Sequence, residues 1–394
     1  MTDVAIAAPA LPRRNIDRLG VVICVIAALG LFLPFILFRA NRIVPGQARS
    51  IFESFPGWSG CGVAALLAAA AASTLWRTRG GIRLLVALIA LLGLAVGLGI
   101  ATDAATAPGD TISRTSPAGG FWLEGLAFGL LAADAVTRLR LRAFARIGLL
   151  LVTAAAIAVI LASGLWDNVS VLREYANRAD SFWREAGTHL VLAFGSLVIA
   201  AAIGLPLGLL VHPTNRVRAV VLNVLNAIQT VPSIALFALL IAPLAWVAAN
   251  VPGAAAAGIA GIGAAPAMVA LVLYSLMPVV SNTLSGLDGV PPEANEAARG
   301  MGMTDGERLV QVQLPLAFPS ILAAIRIALV QNIGLATVAS LIGGGGFGVF
   351  VFQGVGQTAM DLVLLGAVPT VALAFAAAVV LDAAVELVSV RERR

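Results

Sequence analysis

Several residue types are scarce in this chain of 394 residues. It has no lysine, so all 25 of its basic side chains are arginine, and it has two histidines, two cysteines and two tyrosines. Charged residues make up 11% of the chain, whereas 60% of its residues are apolar. This composition leaves too little polar surface for a soluble globule, so we predict an integral membrane protein.

The scarcity of reactive side chains also limits the chemistry that the chain can perform. His189 and His212 have no cluster of carboxylates beside them, so we expect no metal site. Cys24 and Cys61 lie in or beside apolar runs, where a thiol usually behaves as a small hydrophobe rather than as half of a disulfide. No plausible pair of nucleophile and base is present, so we expect no enzyme activity, no catalytic residue and no cofactor.

The glycine-rich stretch "GGGGFG", residues 343–348, superficially resembles a phosphate-binding loop. It follows an apolar helix rather than a strand, and the chain has no lysine to contact a phosphate. We predict a tight turn or a close-packing element on the outer face instead.

Long apolar runs dominate the rest of the chain. A spanning helix needs about 20 mostly apolar residues, because unpaired backbone amides in lipid are costly. Ten stretches qualify as predicted spans: 19–38, 60–76, 82–101, 119–137, 147–164, 187–211, 219–245, 265–287, 318–342 and 360–388.

Arginine distribution predicts the orientation of these spans. With the N-terminus inside, the inner face holds Arg13, Arg14, Arg18, Arg77, Arg79, Arg83, Arg138, Arg140, Arg142, Arg146, Arg216, Arg218, Arg299, Arg308, Arg391, Arg393 and Arg394. The outer face holds Arg39, Arg42, Arg49, Arg114, Arg173, Arg178 and Arg184, and Arg326 lies near the inner end of the ninth span. The excess of arginine on the inner face predicts that both termini lie in the cytoplasm.

Composition changes along the chain. The first five spans are simple Ala, Leu, Val and Ile runs, whereas the helices after about residue 187 contain repeated Pro, Gly, Asn, Gln and Thr. We therefore predict an N-terminal region, 1–180, of about five helices and a second domain, 181–390, of about five more.

One inner loop is charged and punctuated by glycine and proline. Pro291 and Pro292 precede good helix formers, and Gly302 is suited to end the short helix that they form. Thr304 and Glu307 have the spacing of a capping box, which predicts a second helix as far as about Leu314, where Pro315 and Pro319 end it. The segment is either a docking element or an ordinary amphipathic loop.

The stretch "EAARGMGMTDGERLVQVQLP" resembles the EAA motif of bacterial ABC importer permeases. In that family the short helix is a coupling helix that contacts the cytoplasmic ATPase. The resemblance implies a coupling loop at 291–317, in which Val312 replaces the usual Ile. The implied contact residues are Glu296, Ala297, Ala298, Arg299, Gly300, Gly302, Leu314 and Pro315.

The second domain resembles the glycine betaine and osmoprotectant branch of these permeases, as in "HLVLAFGSLVIAAAIGLPLGLLV" and "ATVASLIGGGGFGVFVFQGVG". The N-terminal region is similar to that of enteric-type permeases with extra helices. The resemblance implies an all-α polytopic membrane protein of about ten transmembrane helices, with a type I ABC importer permease core and N-terminal accessory helices. It also implies a bacterial inner-membrane location and a small-molecule substrate.

The partners that the resemblance implies are a cytoplasmic ATPase that binds ATP and Mg, an extracytoplasmic substrate-binding protein and a second permease chain, with homodimerisation expected. We expect contact with lipid and none with nucleic acid. An ion-coupled secondary transporter of a small polar solute is the alternative, because it also has kinked, polar-dotted spans. The scarcity of buried carboxylates argues against proton coupling.

Polar residues within the later spans need partners or water. We take the following as candidates for the translocation pathway: Asn226, Gln229, Thr230, Tyr274, Asn282, Gln331 and Asn332. Such residues also join helices to one another. Glu124, Asp134, Asp382 and Glu386 lie near span ends, where we expect them to reach water, and Asp382 and Glu386 are expected to meet arginines such as Arg391.

Overall fold

A computed structural model describes residues 16–41, 44–110 and 112–392, with the side chains of 390–392 left out. Arg13, Arg14, Arg42, Arg393 and Arg394 of the predicted charge asymmetry, and the side chain of Arg391, therefore lie outside the described residues. The helices are α1 (Arg18–Phe32), α2 (Ser59–Ser73), α3 (Gly80–Ala105), α4 (Gly119–Leu139), α5 (Ala143–Ala162), α6 (Ser170–Asn177), α7 (Ala179–Leu190), α8 (Ser196–Val211), α9 (Asn215–Thr230), α10 (Ser233–Asn250), α11 (Ala264–Asp288), α12 (Pro292–Gly300), α13 (Asp305–Arg308), α14 (Leu314–Val338), α15 (Gly348–Gly356) and α16 (Met360–Glu392). The strands are β1 (Ile36–Arg39), β2 (Gln47–Arg49) and β3 (Arg114–Pro117).

The predicted helical membrane architecture is confirmed, but the number of full-length spans differs. Eight described helical segments are long and apolar enough to cross a membrane, against ten predicted. The first two predicted spans are helices of 15 residues each, about 22 Å long against a hydrocarbon core of about 30 Å. Helix α1 ends at Phe32, because the residue before Pro34 disfavours helical backbone, and the chain continues into β1.

The seventh predicted span, 219–245, is also wrong as a single helix. The chain breaks at Val231 and Pro232, so α9 ends at Thr230 and α10 begins at Ser233. Of the two, α10 is apolar enough to qualify as a span. The other spans predicted for the second domain lie within longer helical segments: Ala179–Val211, Ala264–Asp288, Asp305–Ile342 and Met360–Ser389.

The chain divides into two compact units, the first comprising residues 1–141 and 158–170. Its helices pack mainly as α3 on α4 and α1 on α4. An antiparallel sheet of order β2-β1-β3 joins them, with Ile36 opposite both Arg49 and Pro117. Strands of three and four residues are too short to give a periodic sequence signal, so the sheet was not predicted.

Four charged side chains form a network that joins the start of α1, the start of α3 and the end of α4: Asp17, Arg83, Asp134 and Arg138. Arg83 Nη1 lies 2.6 Å from Asp17 Oδ2 and Arg83 Nε 3.1 Å from Asp134 Oδ2. Arg138 contacts the same two carboxylates, at 2.6 and 2.8 Å. Burial alone would raise the pKa of Asp17, but the two arginines hold that pKa below its ordinary value.

Glu124 of α4 is buried with 1% of its surface exposed, so the expectation that it reaches water is wrong. Neither carboxyl oxygen has a hydrogen-bond partner among the described residues. The carboxyl packs on the backbone of α1, where a Cβ added to Gly30 would lie 3.0 Å from Glu124 Oε1. Asp134, by contrast, is satisfied by the two arginines described above.

The second unit comprises residues 142–157 and 171–394. Its central helix is α11, and 56% of the most apolar 18-residue stretch of this helix is buried. Helices α8 and α14 make the most extensive contacts with α11, and α16 packs on α14. Small residues permit the close approach, since a Cβ added to Gly204 would lie 2.8 Å from a methyl group of Val279.

Candidate functional site

The coupling segment begins with a short, exposed helix. Pro291 is the N-cap of α12 and Pro292 occupies its first turn, where a missing N–H removes no helical hydrogen bond. Glu293 stands in the same turn and Arg299 in the last, so both charges favour the helix dipole. The sequence predicted this helix, and the structure ends it at Gly300.

Gly302 forms the predicted elbow after α12. Its φ of 82° lies in the left-handed region, which glycine adopts without a Cβ clash. The N–H of Gly302 donates to Arg299 O at 2.9 Å and the N–H of Met303 donates to Ala298 O at 3.2 Å. These two bonds are the Schellman pattern, which satisfies the last carbonyls of the helix and fixes the direction in which the chain leaves it.

The predicted capping box starts the next helix. Thr304 N donates to Glu307 Oε2 at 2.8 Å, and Glu307 N donates to Thr304 Oγ1 at 3.3 Å. The elbow is therefore held on both sides by local backbone chemistry.

The expected end of this helix at Pro315 is wrong. A π-helical turn, Leu309–Gln313, connects α13 directly to α14, and the N–H of Leu314 donates to Leu309 O. We attribute the continuation to this wider turn, which moves the proline ring away from the carbonyl that it would otherwise meet four residues earlier. Residues Asp305–Ile342 thus form one continuous helical segment.

The eight implied contact residues divide into an outward set and an inward set. Those exposed to solvent are Glu296, Ala297, Arg299, Gly300, Gly302 and Pro315. Ala298 is 1% exposed, and Leu314 is half-buried against the core residues Leu287, Ala317 and Ile321. Met301, which the motif does not single out, is 70% exposed at the elbow.

Side-chain hydrogen bonds within and just before the coupling segment help to hold it in position. Gln313 Nε2 donates to Asn295 Oδ1 at 2.9 Å, which joins the π turn to α12. Arg218 of α9 forms two hydrogen bonds with Asp288 at the end of α11, at 3.1 and 2.6 Å, four residues before α12 begins. His212 Nε2 lies 3.3 Å from the same carboxylate.

Of the seven candidate pathway residues, Asn332 is fully buried at a junction of three helices. Its Nδ2 donates to Ser196 Oγ of α8 at 2.8 Å, and its Oδ1 accepts from Ser275 Oγ of α11 at 2.9 Å. Ser196 Oγ also donates to Leu192 O of its own helix, and Ser275 Oγ shares its single proton between Asn332 Oδ1 and Leu271 O, each 2.9 Å away. The contacts of Asn332 are those of a helix-joining residue.

Gln229 and Tyr274 satisfy the break between α9 and α10. Tyr274 Oη donates to Val231 O at 2.5 Å, and Gln229 Nε2 donates to Tyr274 O at 2.6 Å. The first bond supplies a donor to a carbonyl at the break. The second supplies a donor to the Tyr274 carbonyl of α11, which lacks a helical partner because the residue four positions on is Pro278.

The remaining candidates differ in exposure. Asn282 donates to Pro278 O at 2.9 Å within α11, and Gln331 is half-buried in α14. Asn226 and Thr230 are exposed on α9, next to the break, although Thr230 Oγ1 donates to Ala227 O at 2.7 Å. The structure therefore gathers Asn226, Gln229, Thr230 and Tyr274 around one helix break.

The glycine run is a close-packing turn, as predicted. Gly343, Gly345 and Gly346 have φ between 76° and 82°. Glu185 Oε2 accepts from Gly346 N at 2.8 Å, and a Cβ on Gly346 would lie 3.1 Å from His189 Nδ1. The aromatic ring of Phe347 packs on His189 with centroids 4.9 Å apart.

One group of charges in the second unit was expected in kind but not in its members. Asp382 of α16 pairs with Arg146 of α5 and with Arg326 of α14, and Glu386 also pairs with Arg146. Both acids thus meet arginines, whereas the side chain of Arg391, the example given for such a partner, lies outside the described residues. The i, i+4 spacing of the two acids indicated a shared helix face, but the sequence carries no signal for partners more than 50 residues away.

Metal ligands are not clustered in this structure. Over residues 16–41, 44–110 and 112–392, no group of three or more His, Cys, Asp or Glu side chains could hold a metal ion.

Two family descriptions match separate parts of the chain. Residues 17–172 match the N-terminal domain of ABC transporter permease YehY, and residues 200–394 match the binding-protein-dependent transport system inner membrane component.

Relatives with known names match parts of the chain. The osmoprotectant import permease protein OsmW of Salmonella typhimurium is 44% identical over 24% of this chain and 44% of its own length. The choline transport system permease protein OpuBD of Bacillus subtilis is 32% identical over 52% of this chain and 83% of its own. The chain spans less than half the length of the first relatives that it matches.

Among solved structures, an inward-facing form of the MetNI methionine ABC transporter has a chain that is 23% identical, with a TM-score of 0.47. The match covers 53% of this chain and 96% of that one. By its similarity to OpuBD and the two matched domains, the chain belongs to the family of binding-protein-dependent transport system inner membrane components, the permease proteins of ABC transporters.

Proposed function

We propose that this chain is the membrane permease subunit of an ATP-binding cassette importer. It has no chemistry of its own, and a partner ATPase hydrolyses ATP with Mg. The observation that carries the proposal is the rigid elbow at Gly302, where a Schellman turn and a capping box fix α12 relative to the long helical segment Asp305–Ile342. Movement of α12 is thereby passed directly into a membrane helix.

The outward face of α12 is the proposed ATPase contact. Glu296, Ala297, Arg299 and Gly300 are exposed there, and Met301 adds an apolar side chain at the elbow. Ala298 and Leu314 take a different role from the one that the motif implied, since they pack inward and position this face.

Glycine betaine or a related osmoprotectant, such as choline, proline betaine or another quaternary amine, is the proposed substrate. The names of OsmW, OpuBB and OpuCB describe permeases for osmoprotectants, choline, and glycine betaine, carnitine and choline. Aromatic cages hold quaternary ammonium groups well. Because Tyr274 is buried and hydrogen-bonded to Val231 O, we assign the main recognition to a separate substrate-binding protein.

The remaining proposed partners follow from this role. An extracytoplasmic binding protein delivers the substrate, and a second copy of the permease completes the pathway. The chain lies in the bacterial inner membrane with both termini in the cytoplasm, in contact with lipid and not with nucleic acid. Of the candidate pathway residues, Asn226 and Thr230 are the best placed to meet solute, because they are exposed beside the helix break.

Substitution of Gly302 tests the proposal. Gly302→Val places a β-branched residue at a φ of 82°, whereas Gly306→Val changes a glycine four residues on that has no left-handed backbone. We expect Gly302→Val to weaken co-purification with the proposed partner ATPase by roughly tenfold or more, since 1.4 kcal/mol corresponds to a factor of ten. Uptake should fall with it, and Gly306→Val should leave both nearly unchanged.

Undiminished complex formation and uptake in Gly302→Val combined with Glu296→Ala would contradict this role for α12. The alternative of an ion-coupled secondary transporter has its own test. Liposomes that contain this chain alone should not accumulate labelled choline or glycine betaine under a sodium or proton gradient. Accumulation without an ATPase would establish the alternative.

A further inference from the structure

Helix α5 is attached to the second unit at its first turn. Only 6% of the most apolar 18-residue stretch of α5 is buried. Leu151, Val152 and Val159 are each more than 60% exposed. The hydrogen bonds and ion pairs that the described part of α5 makes with other helices come from Ala143 and Arg146. The rest of the helix presents apolar side chains outward, as a lipid-facing helix does.

The attachment consists of four charged side chains, which we call the Asp382 cluster: Arg146, Arg326, Asp382 and Glu386. Asp382 accepts from Arg146 of α5 with one oxygen and from Arg326 of α14 with the other. Glu386 pairs with Arg146 and also accepts from Ala143 N at 3.3 Å. Two arginines thus meet two carboxylates, and each side chain keeps between 22% and 39% of its surface exposed.

Arg326 connects this cluster to the helical segment Asp305–Ile342, which starts just after the elbow at Gly302. The segment Asp305–Ile342 begins three residues after Gly302 and contains Arg326 without an intervening break. The π turn Leu309–Gln313 and Pro319 lie between α13 and Arg326, but the helix continues through both, so a displacement of α13 is carried toward Arg326 along one segment. Among the described side chains, Asp382 is the carboxylate that binds both this helix and α5.

Helix α5 also continues in the other direction. Its residues up to Ile157 belong to the second unit, and residues from Ala158 belong to the first. Helix α5 is therefore covalently continuous with the first unit, while its anchored end lies within the second.

We propose that the Asp382 cluster is a regulatory joint, through which α5 and the coupling helix influence each other. This inference rests on the proposed function for its transport readout but not for its structural one. Partly exposed ion pairs contribute little net stability, so they can break and re-form as α14 moves. An apolar contact of the same three helices would fasten α5 without responding to a change in the position of one arginine.

Spin-label distances test the anchor without reference to transport. In a chain with Cys24→Ser and Cys61→Ser, labels at Val152→Cys on α5 and Val380→Cys on α16 are measured in lipid nanodiscs. We expect a narrow distance distribution in this parent and a distribution at least about twofold broader with Arg146→Ala, because Arg146 supplies the ion pairs of α5. The matched control is Arg142→Ala, an exposed arginine one turn earlier, which should leave the distribution narrow.

Arg326→Ala separates the joint from a simple tether. It removes the α14 side but leaves Arg146 with Asp382 and Glu386, so the distribution should stay narrow. In proteoliposomes with the ATPase and binding protein, Arg146→Ala and Arg326→Ala should each change uptake about threefold or more in the same direction, whereas Arg142→Ala should not. The double variant should change it no further, since both substitutions break the same connection.

A distribution that stays narrow in Arg146→Ala would overturn the anchor, and unchanged uptake in both single variants would overturn the joint. Failure of the proposed function has a different signature. In that case the unsubstituted chain would not bind the ATPase or take up substrate at all, and the spin-label result alone would decide whether the cluster fastens α5.

Discussion

The two units satisfy their buried polar groups in different ways. The first unit closes one end with Asp17, Arg83, Asp134 and Arg138, two acids and two arginines of which Arg83 is 2% exposed. The core of the second unit uses neutral groups, such as Asn332 with two serines. Charged networks lose much stability when one member is removed, whereas neutral bonds between membrane helices contribute little each.

This difference suits different mechanical roles. A buried network of full charges is held by ion pairs between fixed partners, so it holds α1, α3 and α4 together at one end. The serine hydroxyls around Asn332 also bond to carbonyls of their own helices, so they keep a partner when neighbouring helices shift. The first unit is thus built to hold its shape, and the second is built so that helices can move past one another.

Removal of Arg83 should produce the largest effect. Arg83→Ala leaves Asp17 and Asp134 with Arg138 alone, so we expect the free energy of unfolding of the first unit to fall by about 3 to 5 kcal/mol. Cys24 of α1 reports this unfolding by its reaction with a thiol fluorophore during heating, in a Cys61→Ser chain. The exposed Arg79→Ala is the control, and an equal shift of both variants would contradict the importance of the network.

A pair of glycine substitutions compares the packing of both units. A Cβ on Gly20 would lie 1.8 Å from Thr74 O, and one on Gly348 would lie 1.8 Å from Thr337 O. We expect each alanine substitution to destabilise its unit by about 1 to 3 kcal/mol, because backbone atoms must shift. Gly62→Ala and Gly334→Ala have open space and serve as controls; thermal unfolding of all four variants, followed by thiol reactivity at a cysteine placed in each unit, gives the comparison.

Asn332→Ala should have a smaller effect on stability, about 1 kcal/mol, because it removes neutral hydrogen bonds and leaves both serines bonded to their own helices. It also decides the role of this residue. A packing role predicts a lower unfolding temperature with an unchanged apparent affinity for substrate in uptake. A large loss of affinity at unchanged stability would instead place Asn332 in the pathway.

Acid should destabilise the first unit through Asp17, with the smallest change of the four predictions. The pKa of Asp17 is lower in the folded state than its ordinary value of 3.8, so its contribution is present above that pH and is lost as the pH falls through the folded value. Unfolding of the first unit should therefore become easier at the acidic end. Asp17→Asn should remove this pH dependence, and the same acid sensitivity in Asp17→Asn would contradict it.

Local chemistry made the coupling segment predictable from the sequence. The caps at Pro292, Gly302 and Thr304 depend on residues within a few positions of one another, and each lies where it was expected. Averaged hydropathy was less informative, because it does not register a break such as that before Pro232. It also does not register the π turn that carries the helix through Pro315.

Partners that are distant in the sequence account for the rest. Asp17 and Arg83 meet across 66 residues, and Ser196 and Asn332 across 136. The residue types indicated that partners were needed, but the sequence did not indicate which ones. Seven polar residues could therefore be proposed for a pathway, and four of them were found bonded within or between helices in the core.

The π turn at Leu309–Gln313 has a consequence for the azimuth of the exposed α12 face. A π turn contains about one residue more than an α-helical turn, so it takes up one extra residue within a single wider turn. In an ordinary α-helix an extra residue would rotate everything before it by about 100° about the axis. The wider turn thus lets this segment carry an additional residue while the exposed face of α12 keeps its bearing around the axis of α14.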